Sequence, residues 1–308
     1  MSLLSDRLED YLVMRRGLGF KLQSDGTALL SFVEFMELND AIHITNELAI
    51  SWATSPKNVK ANHWSRRLGF VRGFAKYCRA FDQCSEVPPS QLLPACQQRS
   101  SPYFFSDADV KQLLQRSLVQ DDSAGVSGKT THCILSLLCT TGLRISEALR
   151  LDVADFDAEQ GVLYVRVSKF GKSRLIPLHP SVVALLMDYL SSATSMTTVF
   201  KPVALFRNAK AQRPCYDNIY RRFRRLSNDF PDQPGRRRPR LHDLRHRFAV
   251  KTLLNWYHDG TDVQSWLPVL STYLGHVEVR DTYWYISACP ELMDAARRRL
   301  ESRWEGRS

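Results

Sequence analysis

Residues 140–151 read TTGLRISEALRL, and this stretch decides how the second half of the chain folds. Gly142 interrupts the preceding helix, so Arg144 opens a new one. The apolar residues after Arg144 recur at helical spacing and bury one side, which makes its guanidinium project from a fixed element. Glu147 lies three residues further on the same face and can hold that guanidinium in one orientation. Taken alone, such a pair is usually an ordinary surface ion pair.

Four further stretches carry residues that could handle a phosphate. His242 and Arg245 share one face of a predicted helix at i and i+3, and neighbouring leucines supply its buried stripe. An H-x-x-R pair occurs by chance about once in a chain of this composition, so its context matters. The stretches are VSKFGKSRLIPL (167–178), LHDLRHRFA (241–249), LGH (274–276) and TYWYI (282–286), with the candidates Lys169, His242, Arg245, His276 and Tyr285.

Together these five stretches resemble the catalytic half of a tyrosine recombinase of the phage integrase family, over roughly residues 103–290. The resemblance implies an enzyme that cleaves and rejoins DNA without a metal, a cofactor or ATP. It also implies a role for each candidate: Arg144 and Arg245 bind the scissile phosphate, Lys169 is the general acid, His242 handles a proton, His276 hydrogen-bonds the phosphate, Tyr285 is the nucleophile, and Glu147 supports Arg144.

Two of these assignments are choices between neighbours. Lys169 is favoured over Lys172 because the family's catalytic lysine is the first one of a K-x-x-K-x-R-L-x-P-L pattern, here KFGKSRLIPL. Tyr285 is favoured over Tyr283 and Tyr273 because the family's nucleophile stands nine residues after the histidine, here His276.

The chemistry explains why these residue types are needed. In-line attack on a phosphodiester places extra negative charge on the nonbridging oxygens, which two arginines and two imidazoles can absorb without a metal. A phenol with a pKa near 10 is hardly ionised at pH 7 and needs an electropositive pocket or a base.

The composition agrees with a polyanionic partner. Lysine and arginine outnumber acidic residues by 42 to 32, and residues 221–247 alone hold ten arginines, which favours double-stranded DNA. The seven cysteines show no paired or zinc-type spacing, so we expect reduced thiols. No apolar run is long enough to cross a membrane and no signal peptide is evident, which predicts a cytoplasmic protein.

The chain is long enough for two domains. The predicted fold is mainly α with a small β-sheet: an N-terminal helical bundle that binds DNA, and an α+β catalytic domain. Gly26 and the segment 55–58 are expected to interrupt the bundle, and residues 162–178 alternate as a β-hairpin does. The predicted parts are a bundle at 1–85 with helices near 3–16, 26–39, 45–55 and 62–82, a proline-containing linker at 86–103, and a catalytic domain at 104–308.

Basic residues on two surfaces are candidate DNA contacts. One group lies on the face of the fourth helix opposite its aromatic residues, although an ordinary amphipathic surface helix explains that pattern equally well. The others stand on the hairpin turn or in the arginine-rich segment. The predicted DNA-binding residues are Arg72, Lys76, Arg79, Lys172, Arg221, Arg222, Arg225 and Arg247, whereas His246 is expected to contact phosphate or solvent.

Residues 290–308 predict a C-terminal helix that starts at Pro290 with an apolar stripe. It can pack on its own domain, or dock on a neighbouring protomer as in the family, which would give a homotetramer on DNA.

The function that we expect is recombination by an integrase or resolvase of a mobile element. Two other functions are alternatives to it. A type IB topoisomerase uses the same chemistry to relax DNA, and a DNA-binding regulator could keep the fold without activity.

Overall fold

A computed structural model describes most of the chain, and its architecture is mainly helical with one small sheet. It divides into two compact units, Met1–Arg99 and Ser100–Ser308. Within the ranges described, no helix is both long and apolar enough to cross a membrane. Those ranges are 3–94, 101–119, 125–166, 173–194, 204–234 and 236–305.

The first unit is a helical bundle whose four helices match the predicted ones to within a few residues. Phe32, Met36 and Phe74 are fully buried in its core. The helix bounds are α1 Leu3–Gly17, α2 Gln23–Leu38, α3 Asn46–Thr54 and α4 Ala61–Cys78.

Gly26 does not interrupt the bundle, so that prediction is wrong. It lies in the first turn of α2, which begins at Gln23. There it is buried against Leu12 of α1, where the absence of a side chain leaves room for the neighbouring helix. The segment 55–58 does separate α3 from α4, and Asn58 adopts a left-handed conformation there.

The start of the proline-containing segment is held against the first unit. The Glu86 N–H donates to the Ile44 carbonyl at 2.7 Å, and Arg72 donates to the carbonyls of Pro88 and Pro89, each at 2.7 Å. At its other end, Tyr103 is buried in the core of the second unit. Only residues 95–100 of this segment lie outside the described ranges.

The second unit contains the predicted hairpin. Strands β2 and β3 pair antiparallel, with Leu163 opposite Ile176, and both residues face the core. The turn between them lies outside the described residues. A two-residue strand, β1, pairs with β2 and was too short to show any alternation. The strands are β1 Phe156–Asp157, β2 Val162–Val165 and β3 Arg174–Pro177.

The second unit also contains nine α-helices within the described ranges. A capping box of Ser106 and Asp109 begins α5. The six cysteines in the described ranges are free thiols, four of them buried. The helices are α5 Asp107–Ser117, α6 Gly128–Thr141, α7 Ile145–Ala148, α8 Pro180–Thr194, α9 Tyr216–Leu226, α10 Leu241–His258, α11 Val263–Leu274, α12 Arg280–Ala288 and α13 Pro290–Glu305.

The almost entirely buried helix α6 ends where the candidate residues begin. Gly142 caps it with a φ of 62°, a conformation that glycine adopts without strain. Helix α11 ends in the same way at Gly275, with a φ of 67°. These two left-handed ends lie beside α10, because Arg245 of that helix hydrogen-bonds to the carbonyls of Gly142 and Leu274.

Replacing Gly142 by alanine should destabilise the second unit by about 2–4 kcal/mol, from left-handed strain plus overpacking. The added Cβ would lie 2.5 Å from Cδ1 of Phe248. Gly260 is the matched control, since its φ is +74° but a Cβ added there would have nothing within 4 Å. Urea denaturation should show a clearly smaller loss for Gly260→Ala. Equal losses of unfolding free energy in the two variants would mean that overpacking against Phe248 does not contribute to the destabilisation.

Candidate active site

Three guanidinium groups meet at the C-terminal end of α11. The last carbonyls of a helix lack partners within it and carry a partial negative charge. Here three consecutive carbonyls each accept a hydrogen bond from a different arginine. The pairs are Arg174 Nε with the Tyr273 oxygen at 2.6 Å, Arg245 Nη2 with the Leu274 oxygen at 2.6 Å, and Arg144 Nη2 with the Gly275 oxygen at 2.9 Å.

Arg144 stands at the N-cap of α7 and is held there by Glu147. Its Nη1 donates to Glu147 Oε1 at 2.9 Å, and its backbone N–H donates to Oε2 at 3.0 Å. The Glu147 side chain is only 1% exposed, whereas that of Arg144 is 21% exposed. The predicted contact between the two residues is therefore present, and Arg144 keeps part of its guanidinium accessible.

Glu147 also binds Arg174, a residue to which the sequence assigned no role. Burial alone would raise the pKa of Glu147, but the hydrogen bonds and charge of Arg174, and then those of Arg144, hold that pKa below its ordinary value. Arg174 stands in the quoted stretch 167–178, where an arginine beginning a strand looks like a solvent-facing charge. The signal that could have drawn attention to it is the acidic partner at position 147.

Arg245 lies deeper than Arg144, with only 1% of its surface exposed. Its Nη1 donates to the Gly142 carbonyl at 2.9 Å. Burial lowers the pKa of Arg245 to about 10, opposed by the nearby phenol of Tyr285. Arg245 therefore stays a cation at neutral pH, next to the predicted nucleophile.

Tyr285 is the buried tyrosine of α12, with 3% of its surface exposed, whereas Tyr283 is 50% exposed. The Tyr285 ring lies 5.3 Å from that of His246 and 5.9 Å from that of His276, between centroids. Burial raises the pKa of Tyr285, although the charges of Arg245 and Arg144 act against this rise. Its phenol is thus protonated at neutral pH and lies beside both arginines. Tyr273 instead stacks on Phe248.

The two predicted imidazoles are both neutral at pH 7. Desolvation and the charges of Arg245 and Arg144 lower the pKa of His276 to about 4, and His276 Nδ1 lies 2.8 Å from Thr282 Oγ1. His242 is exposed, but the protein atoms around it and the charges of Arg245, Arg240 and Arg144 lower its pKa to about 4 as well. A neutral imidazole can accept a proton at one nitrogen and donate from the other.

His246 was expected to face phosphate or solvent, and that prediction is wrong. It is 7% exposed, because α10 directs it inward, where its ring centroid lies 4.6 Å from that of His242 and 5.0 Å from that of Trp284. Burial and the neighbouring charges lower the pKa of His246 to about 2. It therefore contributes a neutral, buried ring against Tyr285.

The structure separates the predicted DNA contacts into three groups. Arg222 is 2% exposed and donates to the carbonyls of Ser117, Val119 and Val126, so it is a core residue and the prediction that it contacts DNA is wrong. Arg72 and Arg247 are half-buried and bind carbonyls of their own units, Arg247 also pairing with Asp107. Lys76, Arg79, Arg221 and Arg225 are exposed, while Lys169 and Lys172 lie outside the described residues.

One cluster of metal-ligand type occurs within the described ranges, in the first unit. It consists of His43, Asp82 and Cys84. Asp82 already accepts hydrogen bonds from Ser85, from His43 and from the Cys84 N–H, which accounts for its carboxylate without an ion.

The candidates that the structure describes, Arg144, His242, Arg245, His276 and Tyr285, lie close to one another. A buried tyrosine, two arginine cations and two neutral imidazoles can hold a phosphate and attack it with a phenol. Fold and site together define an enzyme of the class that breaks and rejoins DNA through a tyrosine nucleophile.

Comparison with known proteins agrees with this class. The model of the phage integrase family matches residues 104–291. A protein of Sinorhizobium fredii (strain NBRC 101917 / NGR234), whose assigned name is integrase/recombinase y4rB, is 43% identical over 318 aligned positions and all of both chains. Tyrosine recombinase XerC of Pelotomaculum thermopropionicum is 27% identical over 79% of this chain and 76% of its own.

The fold also matches solved structures. The Tn1549 transposon integrase in complex with transposon right end DNA has a TM-score of 0.68 at 16% identity, covering 96% of this chain and 98% of that one. The chain belongs to the phage integrase family: it is a tyrosine recombinase, a site-specific DNA recombinase.

The neutral histidines predict a pH-dependent stability. An unfolded histidine has a pKa near 6.5, above the folded pKa of about 4 for His242 and His276 and about 2 for His246. The unfolded chain therefore binds more protons below pH 6.5. Stability should be full above that pH and decline as the pH falls towards 4.

Urea denaturation at pH 7.5 and pH 5.0 measures this decline. His246→Gln should reduce the difference between the two pH values by about 1–2 kcal/mol, since it removes one suppressed protonation. Burial raises the pKa of Asp243, which acts in the opposite direction, so the variant is compared with the wild type at both pH values. An unchanged difference in the variant would show that His246 is not held neutral by the fold.

Proposed function

We propose that Tyr285 attacks the scissile phosphate of a specific DNA site and forms a 3′-phosphotyrosyl intermediate. The observation that carries this proposal is the burial of Tyr285 beside Arg245 and His276, with Arg144 held at the same helix end. Tyr283, the nearest alternative, is half exposed.

The steps follow from the charges at the site. The Tyr285 oxygen bonds to phosphorus while its proton passes to a neutral imidazole, with His242 as the acceptor. Arg144 and Arg245 bind the nonbridging oxygens, and His276 donates a further hydrogen bond. Each such donor typically contributes ~10²–10³ in rate.

The bond from phosphorus to the 5′ oxygen then breaks. By the family resemblance, Lys169 gives this oxygen its proton, since an alkoxide is a poor leaving group. The phosphotyrosyl bond conserves the energy of the broken strand. A 5′-hydroxyl of a second DNA can therefore attack it, release Tyr285 and complete strand exchange without ATP.

Recombination is favoured over the two alternatives. The relatives reported above are named as recombinases or integrases, which does not favour a type IB topoisomerase. Arg144, Arg245, His276 and Tyr285 lie close together, which supports an active enzyme over a regulator without activity. The roles that we propose are integration, transposition or resolution of a mobile element. We place the protein in the cytoplasm, because free thiols are stable there.

We propose double-stranded DNA as the partner of both units, the first as a core-binding domain and the second as the catalytic domain. Exposed cations support this: Lys76 and Arg79 on the first unit, and Arg221 and Arg225 on the second. The net charge of +10 favours the same partner.

We further propose that the enzyme acts as a homotetramer on DNA. Helix α13 buries Leu292 completely in its own unit but leaves Met293 and Leu300 about half exposed. These two apolar side chains support docking of this helix on a neighbouring protomer. Gel filtration of a chain that ends near residue 290, with and without site DNA, tests it; unchanged assembly on DNA would argue against this role.

The covalent intermediate can be tested directly. Sheared DNA from the source genome is incubated with the protein, the protein-linked fragments are recovered after denaturation, and the enriched sequence provides a nicked suicide substrate. Wild-type protein should form an adduct with this substrate that survives detergent.

Tyr285→Phe should abolish the adduct, because it removes the nucleophilic oxygen and leaves the buried ring. Tyr283→Phe is the matched control two residues away and should still form it. An adduct with Tyr285→Phe would mean that another residue is the nucleophile.

Adjacent arginines of α9 should behave differently. Arg221→Ala should weaken DNA binding and lower its salt dependence by about one phosphate contact, with little effect on stability. Arg222→Ala should destabilise the second unit by about 2–4 kcal/mol, since it leaves buried carbonyls without donors. Salt-dependent binding assays measure the effect on DNA affinity, and urea denaturation measures the effect on stability. If both variants changed affinity and stability to the same extent, the distinction between Arg221 and Arg222 would be wrong.

A further inference from the structure

Arg174 joins three elements that surround the active site. It is the first residue of β3, and its side chain is 10% exposed. Its Nη1 and Nη2 donate to Glu147 Oε1 and Oε2 at 3.2 Å and 2.9 Å, and its Nε donates to the Tyr273 carbonyl at 2.6 Å. The guanidinium therefore uses both of its edges within the protein, and it links β3, α7 and the end of α11.

The carboxylate that Arg174 binds is the one that orients Arg144. Both guanidinium groups donate to Glu147 Oε1, Arg144 at 2.9 Å and Arg174 at 3.2 Å. A two-pronged pair between arginine and carboxylate fixes the plane of both groups. Because Arg174 holds both oxygens of a buried carboxylate, the direction from which Arg144 can bind Glu147 is fixed as well.

Arg174 also lies close to the backbone that leads to His276. A Cβ added to Gly275 would lie 2.9 Å from Nη1 of Arg174 and 3.4 Å from Nη1 of Arg144. The turn after α11 thus lies in contact with both guanidinium groups. A displacement of Arg174 would therefore change the position of both Arg144 and this turn.

We infer that Arg174 is a positioning residue for recombination, which fixes the orientation of Arg144 towards the scissile phosphate through the shared carboxylate of Glu147. This rests on the proposed function, in which Arg144 binds that phosphate. Arg174 directs its Nε, Nη1 and Nη2 atoms to Glu147 and the Tyr273 carbonyl, so we assign it no contact with the DNA. Its effect is therefore specific to the charge that Arg144 neutralises.

The test replaces Arg174 by lysine, which keeps the charge but cannot reach both Glu147 oxygens and the Tyr273 carbonyl together. Single-turnover cleavage of the suicide substrate at saturating protein separates chemistry from binding. We expect cleavage to slow by about 10–10²-fold, as a displacement of ~1 Å at a catalytic group can cost 10². The affinity for the same DNA should stay unchanged.

A second substrate distinguishes positioning from a general structural role. It carries a methylphosphonate at the scissile position, which removes the negative charge that Arg144 binds. The loss in Arg174→Lys, and that in an Arg144→Ala reference, should largely disappear on this neutral substrate. A variant that is merely distorted would be slow on both substrates.

Arg213→Lys is the matched control. Arg213 also binds two carbonyls, those of Leu149 and Leu151, and a carboxylate, that of Asp152, but it contacts no candidate catalytic residue in the described ranges. Its replacement should leave the ratio of the rates on the two substrates as in wild type. If Arg174→Lys folds poorly, Arg174→Gln provides the same test, because its shorter amide cannot bind both Glu147 oxygens and the Tyr273 carbonyl together.

The outcomes separate the two hypotheses. Equal slowing of Arg174→Lys on both substrates, or no slowing on either, would overturn the positioning role while leaving the proposed function intact. Failure of wild-type protein to form any adduct on its recovered site would overturn both. Slowing that is confined to the charged phosphate supports the inference.

Discussion

The C-terminal end of α11 is the point on which the active site depends. Its last carbonyls need hydrogen-bond donors, and the neighbouring cluster of arginine cations needs negative charge to offset its repulsion. Both needs are met when three consecutive carbonyls receive Arg174, Arg245 and Arg144. Burial of like charges is costly, so these arginines remain close only because the helix end and Glu147 compensate for them.

This concentration of positive charge determines the state of the other groups. Together with burial, which is the larger cause, it lowers the pKa of His242 and His276, so both rings are neutral at physiological pH. It also opposes the rise that burial causes in the pKa of Tyr285. The same cations that are suited to a phosphate therefore keep a proton acceptor available beside a protonated phenol.

Much of this site could be predicted from the sequence, because its members stand in stretches whose spacing sets helix faces and turns. Arg144, Arg245, His276 and Tyr285 converge as those stretches indicated. The errors arose where burial, rather than spacing, decides. Arg222 and Arg221 are indistinguishable in a run of arginines, but α9 turns the first inward and the second outward. The prediction for His246 was wrong for the same reason. The role of Arg174 was not predicted, because it depends on Glu147, which lies 27 residues away in the chain.

The use of backbone carbonyls to anchor the arginines has an evolutionary consequence. A carbonyl oxygen belongs to every residue type, so side chains at positions 273 and 274 can change without deleting the acceptors for Arg174 and Arg245. Glu147 offers no such tolerance, since one nucleotide change can remove its carboxylate. During divergence, a replacement at either position that preserves the packing of α11 therefore keeps these acceptors, while position 147 and the left-handed turn at Gly275 admit few replacements.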